Sequence, residues 1–207
     1  MAAPVSILHS LGLDRLLEPD ATASRPMTPL AFASPEMIRG FHHVIERERT
    51  GAWRSTMKAA GYATGRKFGA RLDDRLAAQG QPALNALPLE ACLALLELHL
   101  TNLGWGRLQI DLTDAAQYGL VVARLEHSVF VEALADVPDF VDALPAGMLQ
   151  GFFEHISGQT LGCEEIACVR RGAACCTFVI TAPERLARIM PVIGRESAET
   201  LLARLRS

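Results

Sequence analysis

Four of the five cysteines, Cys163, Cys168, Cys175 and Cys176, fall within fourteen residues, and Glu165 stands among them. Glu165, Cys168 and Cys176 are spaced E-x2-C-x7-C around Arg170-Arg171-Gly172, which reads as the turn of a β-hairpin. A hairpin sets residues near the end of one strand opposite those near the start of the next. A thiolate from each arm and a carboxylate from the first can therefore converge on one ion. Zinc takes thiolate and carboxylate ligands tetrahedrally, so three ligands are visible and a fourth is wanted. Asp142, in the loop before the preceding helix, and Cys163 are the candidates. Cys175 points to the opposite face of its strand from Cys176, so the two do not easily share an ion. The competing reading is that small apolar thiols simply fill a core, and Cys92, alone among leucines, is assigned to that role.

The other residues able to do chemistry are fewer. His42-His43 lack a partner at i+4 and sit beside Glu46 and Glu48, as on a solvated helix face. His99 lies among leucines, where a satisfied core histidine is the default. His155, on the helix before the cysteine hairpin, is kept as a further candidate fourth ligand or as a polar group of a pocket. Trp53, Trp105, Phe152 and Phe153 are either pocket-lining or core aromatics. Trp105 and Phe152, with His155, are the residues assigned to a ligand pocket. The sequence has no G-x-S-x-G elbow, no H-E-x-x-H motif and no dinucleotide fingerprint. GYATGRK lacks the spacing of a phosphate loop.

These side chains must be positioned by elements whose signals are clear. Ser34-Pro35-Glu36 reads as a cap, a first-position proline and a first-turn acid, opening a helix to about Arg49. A second helix runs from Trp53 to about Gly80. Gly61, Gly65 and Gly69 recur every four residues along it, which suits close approach of another backbone. A third spans Leu89 to Leu103. GRLQIDL then alternates with period two, TDAAQYG supplies a turn, and LVVARLEH is the hairpin partner. A proline-punctuated loop, a helix over Pro145 to Ser157, the cysteine hairpin and two C-terminal helices follow. Thr181-Ala182-Pro183-Glu184 reads as a second capping box. The order predicts an α+β fold with helices packed on a small antiparallel sheet. Residues 5 to 18 form an amphipathic helix, and PDATASRPMTP is a linker, so the head is an arm that docks on its own domain, a twin subunit or another protein.

The stretch from Gly147 to Ile180 resembles the 4-vinyl reductase domain family. It carries a glycine-bearing helix (Gly147, Gly151), a turn at Gly158, E-x2-C at Glu165 and Cys168, Gly172, then Cys176 and Phe178. The resemblance is specific over about residues 144 to 181 and looser back to about residue 50. It implies a fold like that of vesicle-tethering complex subunits, usually dimeric, around an apolar cavity for aromatics, tetrapyrroles or acyl chains. The name-giving member was assigned to vinyl-group reduction in bacteriochlorophyll synthesis. In the aromatic-sensing members, the matching glutamate and two cysteines bind zinc together with a cysteine upstream of the helix. Here that upstream loop, DVPDFVDALPAG, has none, so Asp142 or Cys163 must substitute, or the site is vestigial. A closed site offers no position for water, so a metal there is structural. A second resemblance joins LEACLALLELHLTNLGWGRLQIDLTDAA and LPAGMLQGFFEHISGQ to the D subunit of bacterial cellulose synthase, a non-enzymatic oligomer organising glucan export. The cysteines favour the first family.

Composition sets the outer limits. The 207 residues, 50% hydrophobic and 21% charged, suit one globular core, divided as an arm and linker over residues 1–33 and an α+β domain over 34–207. A net charge of -3 gives no reason to expect nucleic acid or an anionic membrane as partner. An odd, clustered set of cysteines argues against a disulfide framework, and no signal or transmembrane segment is evident, so the expected location is cytoplasmic. The expected function is non-enzymatic: a sensor or carrier of an apolar or aromatic small molecule, homo-oligomeric, with a structural zinc. The alternative is a cellulose-synthase-type scaffold whose arm meets a protein partner.

Overall fold

Ser34 opens the first long helix as its residue type predicts: its hydroxyl accepts from Met37 N at 3.3 Å, and Pro35 takes the first helical position. The computed structural model describes residues 4–13, 16 and 34–207. Among these the helices are α1 (Pro4–Ser10), α2 (Pro35–Glu48), α3 (Trp53–Ala78), α4 (Leu89–Asn102), α5 (Ala115–Tyr118), α6 (Val129–Ala133), α7 (Ala143–Ser157), α8 (Pro183–Leu186) and α9 (Ala198–Leu205). The strands are β1 (Arg107–Asp111), β2 (Val121–Glu126), β3 (Gly162–Ala167) and β4 (Cys176–Thr181). The α+β architecture read from the sequence is the one observed.

The strands form one antiparallel sheet in the order β1-β2-β4-β3, with β2 opposite β4 through pairs such as Ala123 with Phe178. Both hairpins expected from the sequence are present, and the central β2–β4 pairing joins them. Alternation along β4 sorts its side chains between two layers. Cys176, Phe178 and Ile180 enter the larger core with Leu95, Leu96, Leu100 and Phe152, while Val179 enters a smaller one with Leu120, Ile166, Leu186, Leu201 and Leu205. The C-terminal helices thus cover the face of the sheet opposite α4 and α7.

The glycine stripe on α3 packs against α7. A Cβ on Gly61 or Gly65 would fall inside van der Waals distance of the carbonyls of Leu144 and Met148; on Gly147 or Gly151 it would strike those of Lys58 and Tyr62. Successive glycines meet successive turns in the same order, so the helices run in the same direction with their backbones in contact. Tyr62 Oη donates to Glu154 at 2.7 Å across the same interface. Arg54 Nη2, at 2.9 Å, and Lys58 Nζ both bind Glu164 of β3, tying α3 to the sheet edge.

Three local expectations change. A short helix, α6, interrupts the proline-punctuated loop because Ser128 caps it, accepting from Phe130 N at 3.1 Å. Thr181 does not cap α8. It is the last residue of β4, paired with Gly162, and its hydroxyl donates to Gly119 O at 2.8 Å, so Ala182 takes the cap position without a side-chain bond. In the arm, Leu8, Leu13 and Leu16 are buried in the larger core and α1 packs on α4, so these residues dock on their own domain. The expected linker, residues 19 to 29, lies outside the described residues.

Candidate metal centre

The cysteine hairpin turns through a single 3-10 turn, Val169–Arg171, closed by Gly172 at φ 88°. A register shift between Glu165 and Ala167 puts an extra residue into β3 just before Cys168. Glu165 and Cys168 consequently both turn toward Cys176 across the ladder, with the two sulfurs 3.7 Å apart. The fourth group comes from the start of α7. Asp142 stands at the cap position, yet its carboxylate makes no bond to the helix. Oδ1 instead accepts from Ser128 Oγ, and the Asp142 backbone N–H donates to Glu165 Oε2 at 3.1 Å.

Asp142, Glu165, Cys168 and Cys176 each offer one ligand atom, and these atoms all lie within 4.8 Å of one another. All four residues are buried; Asp142 is 0% exposed and Glu165 2%. Asp142 Oδ2 and Glu165 Oε1 are buried without a hydrogen-bond partner. Orphaned carboxylate oxygens in a buried site are costly unless a cation meets them.

The electrostatics point the same way. Burial pushes the Asp142 carboxyl up to about 6. Burial, then the neighbouring Asp142, raises Glu165 well above the carboxylate range. The bond from Cys176 lowers the Cys168 thiol to about 6, and its counterpart from Cys168, followed by burial, raises Cys176. Four acidic groups crowded away from water cannot all ionise. A divalent cation would invert that balance by stabilising every anionic form at once. Two thiolates and two carboxylates suit zinc, and the residues present fit the ion. Because all four donors are buried, the arrangement serves to hold a fold together rather than to activate water.

The remaining candidates are placed elsewhere. Cys163 lies on β3 two residues before Glu165, about 7 Å further along the strand, and is fully buried in the larger core. Cys175 precedes β4, is half-buried and meets only Thr177 Oγ1, at 3.8 Å. His155 is bonded through Nε2 to Asp73 Oδ2 at 2.7 Å. Cys92 is buried and donates to Leu84 O at 3.2 Å. Sequence reasoning missed Ser128 and Asp73, the polar partners of Asp142 and His155, because they lie 14 and 82 residues away and no spacing rule reaches them.

Of the residues assigned to a pocket, Trp105 packs edge-on against Phe130 with ring centroids 5.6 Å apart, and its indole N–H is buried without a partner. Phe152 packs on Phe68 at 5.6 Å. Two half-open clefts lie among the described residues, and none of Trp105, Phe152 and His155 lines either. One cleft, of about 290 Å³, is walled chiefly by apolar groups, among them Leu84, Leu87, Phe153, Ile156, Leu161 and Ile180. The other, of about 360 Å³, is lined by three arginines around Phe140.

Residues 121–182 match the family model of the vinyl-4-reductase domain, a segment from β2 through β4 that contains all four residues of the cluster. The resemblance read above from residues 144 to 181 lies inside that match. No curated protein matches the sequence. Among solved structures, the phenol-responsive sensory domain of the transcription activator PoxR, determined with phenol, shares the fold. The TM-score is 0.56 at 16% identity, over 85% of this chain and 83% of that one. A vinyl-4-reductase family protein from Methanocaldococcus jannaschii aligns with a TM-score of 0.44 at 19% identity, over 73% and 89% of the two chains. A trafficking protein particle complex subunit 3 from Naegleria fowleri, covalently bound to palmitic acid, aligns at 0.49 and 12%, over 71% and 93%.

Proposed function

We propose that this chain is a non-enzymatic small-molecule-binding module of the vinyl-4-reductase-domain type, a sensor or carrier for an apolar or aromatic ligand, stapled by a structural zinc ion. The metal reading is carried by the two orphaned carboxylate oxygens facing two thiols in one buried cluster. Asp142 stands where the aromatic-sensing relatives described above have a cysteine upstream of the helix. Zinc, when bound, would supply charge neutralisation and a cross-link between the hairpin and the start of α7.

The ligand reading rests on the family match, the fold shared with a phenol-responsive domain and the apolar cleft. That cleft lies between the 3-10 turn at Leu84–Ala86, the end of α7 and the β2–β4 pair. Its volume is at the small end of ligand sites and suits a compact molecule. Cys92 lines it, but burial pushes that thiol up to about 11, which leaves a protonated wall rather than a nucleophile.

A second copy is the expected partner. The face of α2 carrying Met37, Phe41 and Val44, spaced as successive turns, leaves these side chains 44%, 50% and 48% exposed. No helix among the described residues is long and apolar enough to cross a membrane.

Native mass spectrometry of the purified chain tests these statements together. The expected result is a dimer carrying one zinc per chain, with a melting temperature raised by phenol or a similar small aromatic and lowered by a chelator. A metal-free chain indifferent to both additives would overturn the reading.

A further inference from the structure

The larger cleft has a chemistry that neither the metal cluster nor the apolar cleft uses. Its centre is Phe140, buried two residues before Asp142. The Arg54 guanidinium, from α3, stands 5.2 Å from the ring centroid, and that of Arg171, from the turn between the two metal-site cysteines, stands 5.0 Å from it. Each is held from a second side. Arg54 donates to Glu164 at 2.9 Å, and Arg171 Nη2 donates to Gly194 O at 2.7 Å. Gly194 has φ +80°, and a Cβ there would press on both Arg171 and Phe140, so glycine lets this carbonyl reach the guanidinium.

Arg195 follows at the rim, with no charged partner among the described residues. Against these three cations the lining carries one carboxylate, Asp139, 3.7 Å from Arg171 and largely exposed to solvent. Met190 and Ile193 supply an apolar wall, Met190 being 48% exposed.

Scattered surface arginines are ordinarily just solvated. Here three converge on a concave surface of about 360 Å³, and two are fixed in orientation by an aromatic ring and by hydrogen bonds that leave other N–H groups free. A planar guanidinium fork matches a carboxylate in two-point geometry, and the apolar wall suits a hydrocarbon body. We propose that the cleft between Arg54, Arg171 and Arg195 is a second ligand site, which binds a small organic carboxylate with its charged head on the arginines and its apolar body against Phe140, Met190 and Ile193. This site depends on neither the metal nor an occupant of the apolar cleft.

Calorimetric titration of the full chain with sodium benzoate, benzyl alcohol and inorganic phosphate tests it, in parallel on wild type and on Arg195→Glu. Arg195 is chosen because no contact of the fold described above depends on it, and an unchanged melting temperature confirms that the variant is folded. The expected result is one-to-one binding of benzoate, much weaker binding of the neutral alcohol and of phosphate, and a loss of affinity of about tenfold or more in the variant. Arg195→Ala should show the same loss in milder form, and it stands in if the charge reversal fails to fold. No binding of benzoate, equal binding of benzyl alcohol or of phosphate, or benzoate binding undiminished in the variants would each overturn the proposal.

Discussion

Asp142 is the residue on which the cluster depends. It is fully buried at the start of α7, with one oxygen held by Ser128 and the other unpartnered. Replacing it with alanine removes an oxygen donor and leaves Glu165 facing two thiols. The expected outcome is loss of zinc, measured by elemental analysis, and a drop in stability of several kcal/mol, as for other structural ions. Asp142→Cys restores a donor of the kind the related sensors use and should retain about one zinc per chain. Cys175→Ser, outside the cluster, should leave metal content unchanged. Equal zinc in the wild type and in Asp142→Ala would remove Asp142 from the ligand set. At this scale the sequence was informative where local geometry decides. The E-x2-C-x7-C spacing pointed to three members because a hairpin necessarily brings them together. It left Asp142 and Cys163 as alternatives, since choosing between them needs the position of α7 relative to β3, a tertiary fact. Ser128 was invisible for the same reason.

At the scale of elements, the α3–α7 contact is where small changes should cost most. Gly65 has no room for a methyl group: a Cβ would meet the Met148 carbonyl and the Phe152 amide of a rigid helix, so one backbone must move. Gly65→Ala is expected to destabilise the protein by about 3 kcal/mol or more, at the upper end of overpacking effects. Gly40 provides the contrast. It lies mid-helix in α2 with nothing within 4 Å of an added methyl, so Gly40→Ala should stabilise by about 0.5–1 kcal/mol. Urea unfolding midpoints of the two variants should move in opposite directions; movement in the same direction would refute the close-packing account. The stripe on α3 was legible from its period of four, as were the ends of α2 and α4, because caps and periodicity are local. The five-residue α6 was not, since it depends on one serine and on tertiary burial. The capping motif at Thr181 misled because a strand claimed the threonine first.

For the molecule as a whole, two helical layers around a four-stranded sheet leave β4 buried along its length, from Cys176 to Thr181. The sequence shows that strand as a near-continuous apolar run, but the β1-β2-β4-β3 order depends on pairing across 50 residues and more, which no local pattern encodes. The same burial sets an acid limit on stability. His99 on α4 stacks on Phe68 of α3 with ring centroids 3.9 Å apart, and burial, with a smaller push from Arg71, lowers its pKa to about 4. In the unfolded chain it titrates near 6.5. Between these values the unfolded chain takes up a proton that the folded chain refuses, so stability is full above about pH 6.5 and falls as the pH drops toward 4. The loss is on the order of 3 kcal/mol by the lower limit of that window. His99→Phe keeps a ring against Phe68 and cannot titrate. Urea unfolding of both proteins at pH 7 and pH 4.5 cancels whatever they share, including any acid release of metal. The wild type should lose stability relative to His99→Phe on acidification, and a stability difference constant with pH would show that His99 is protonated as readily in the folded chain as in the unfolded one.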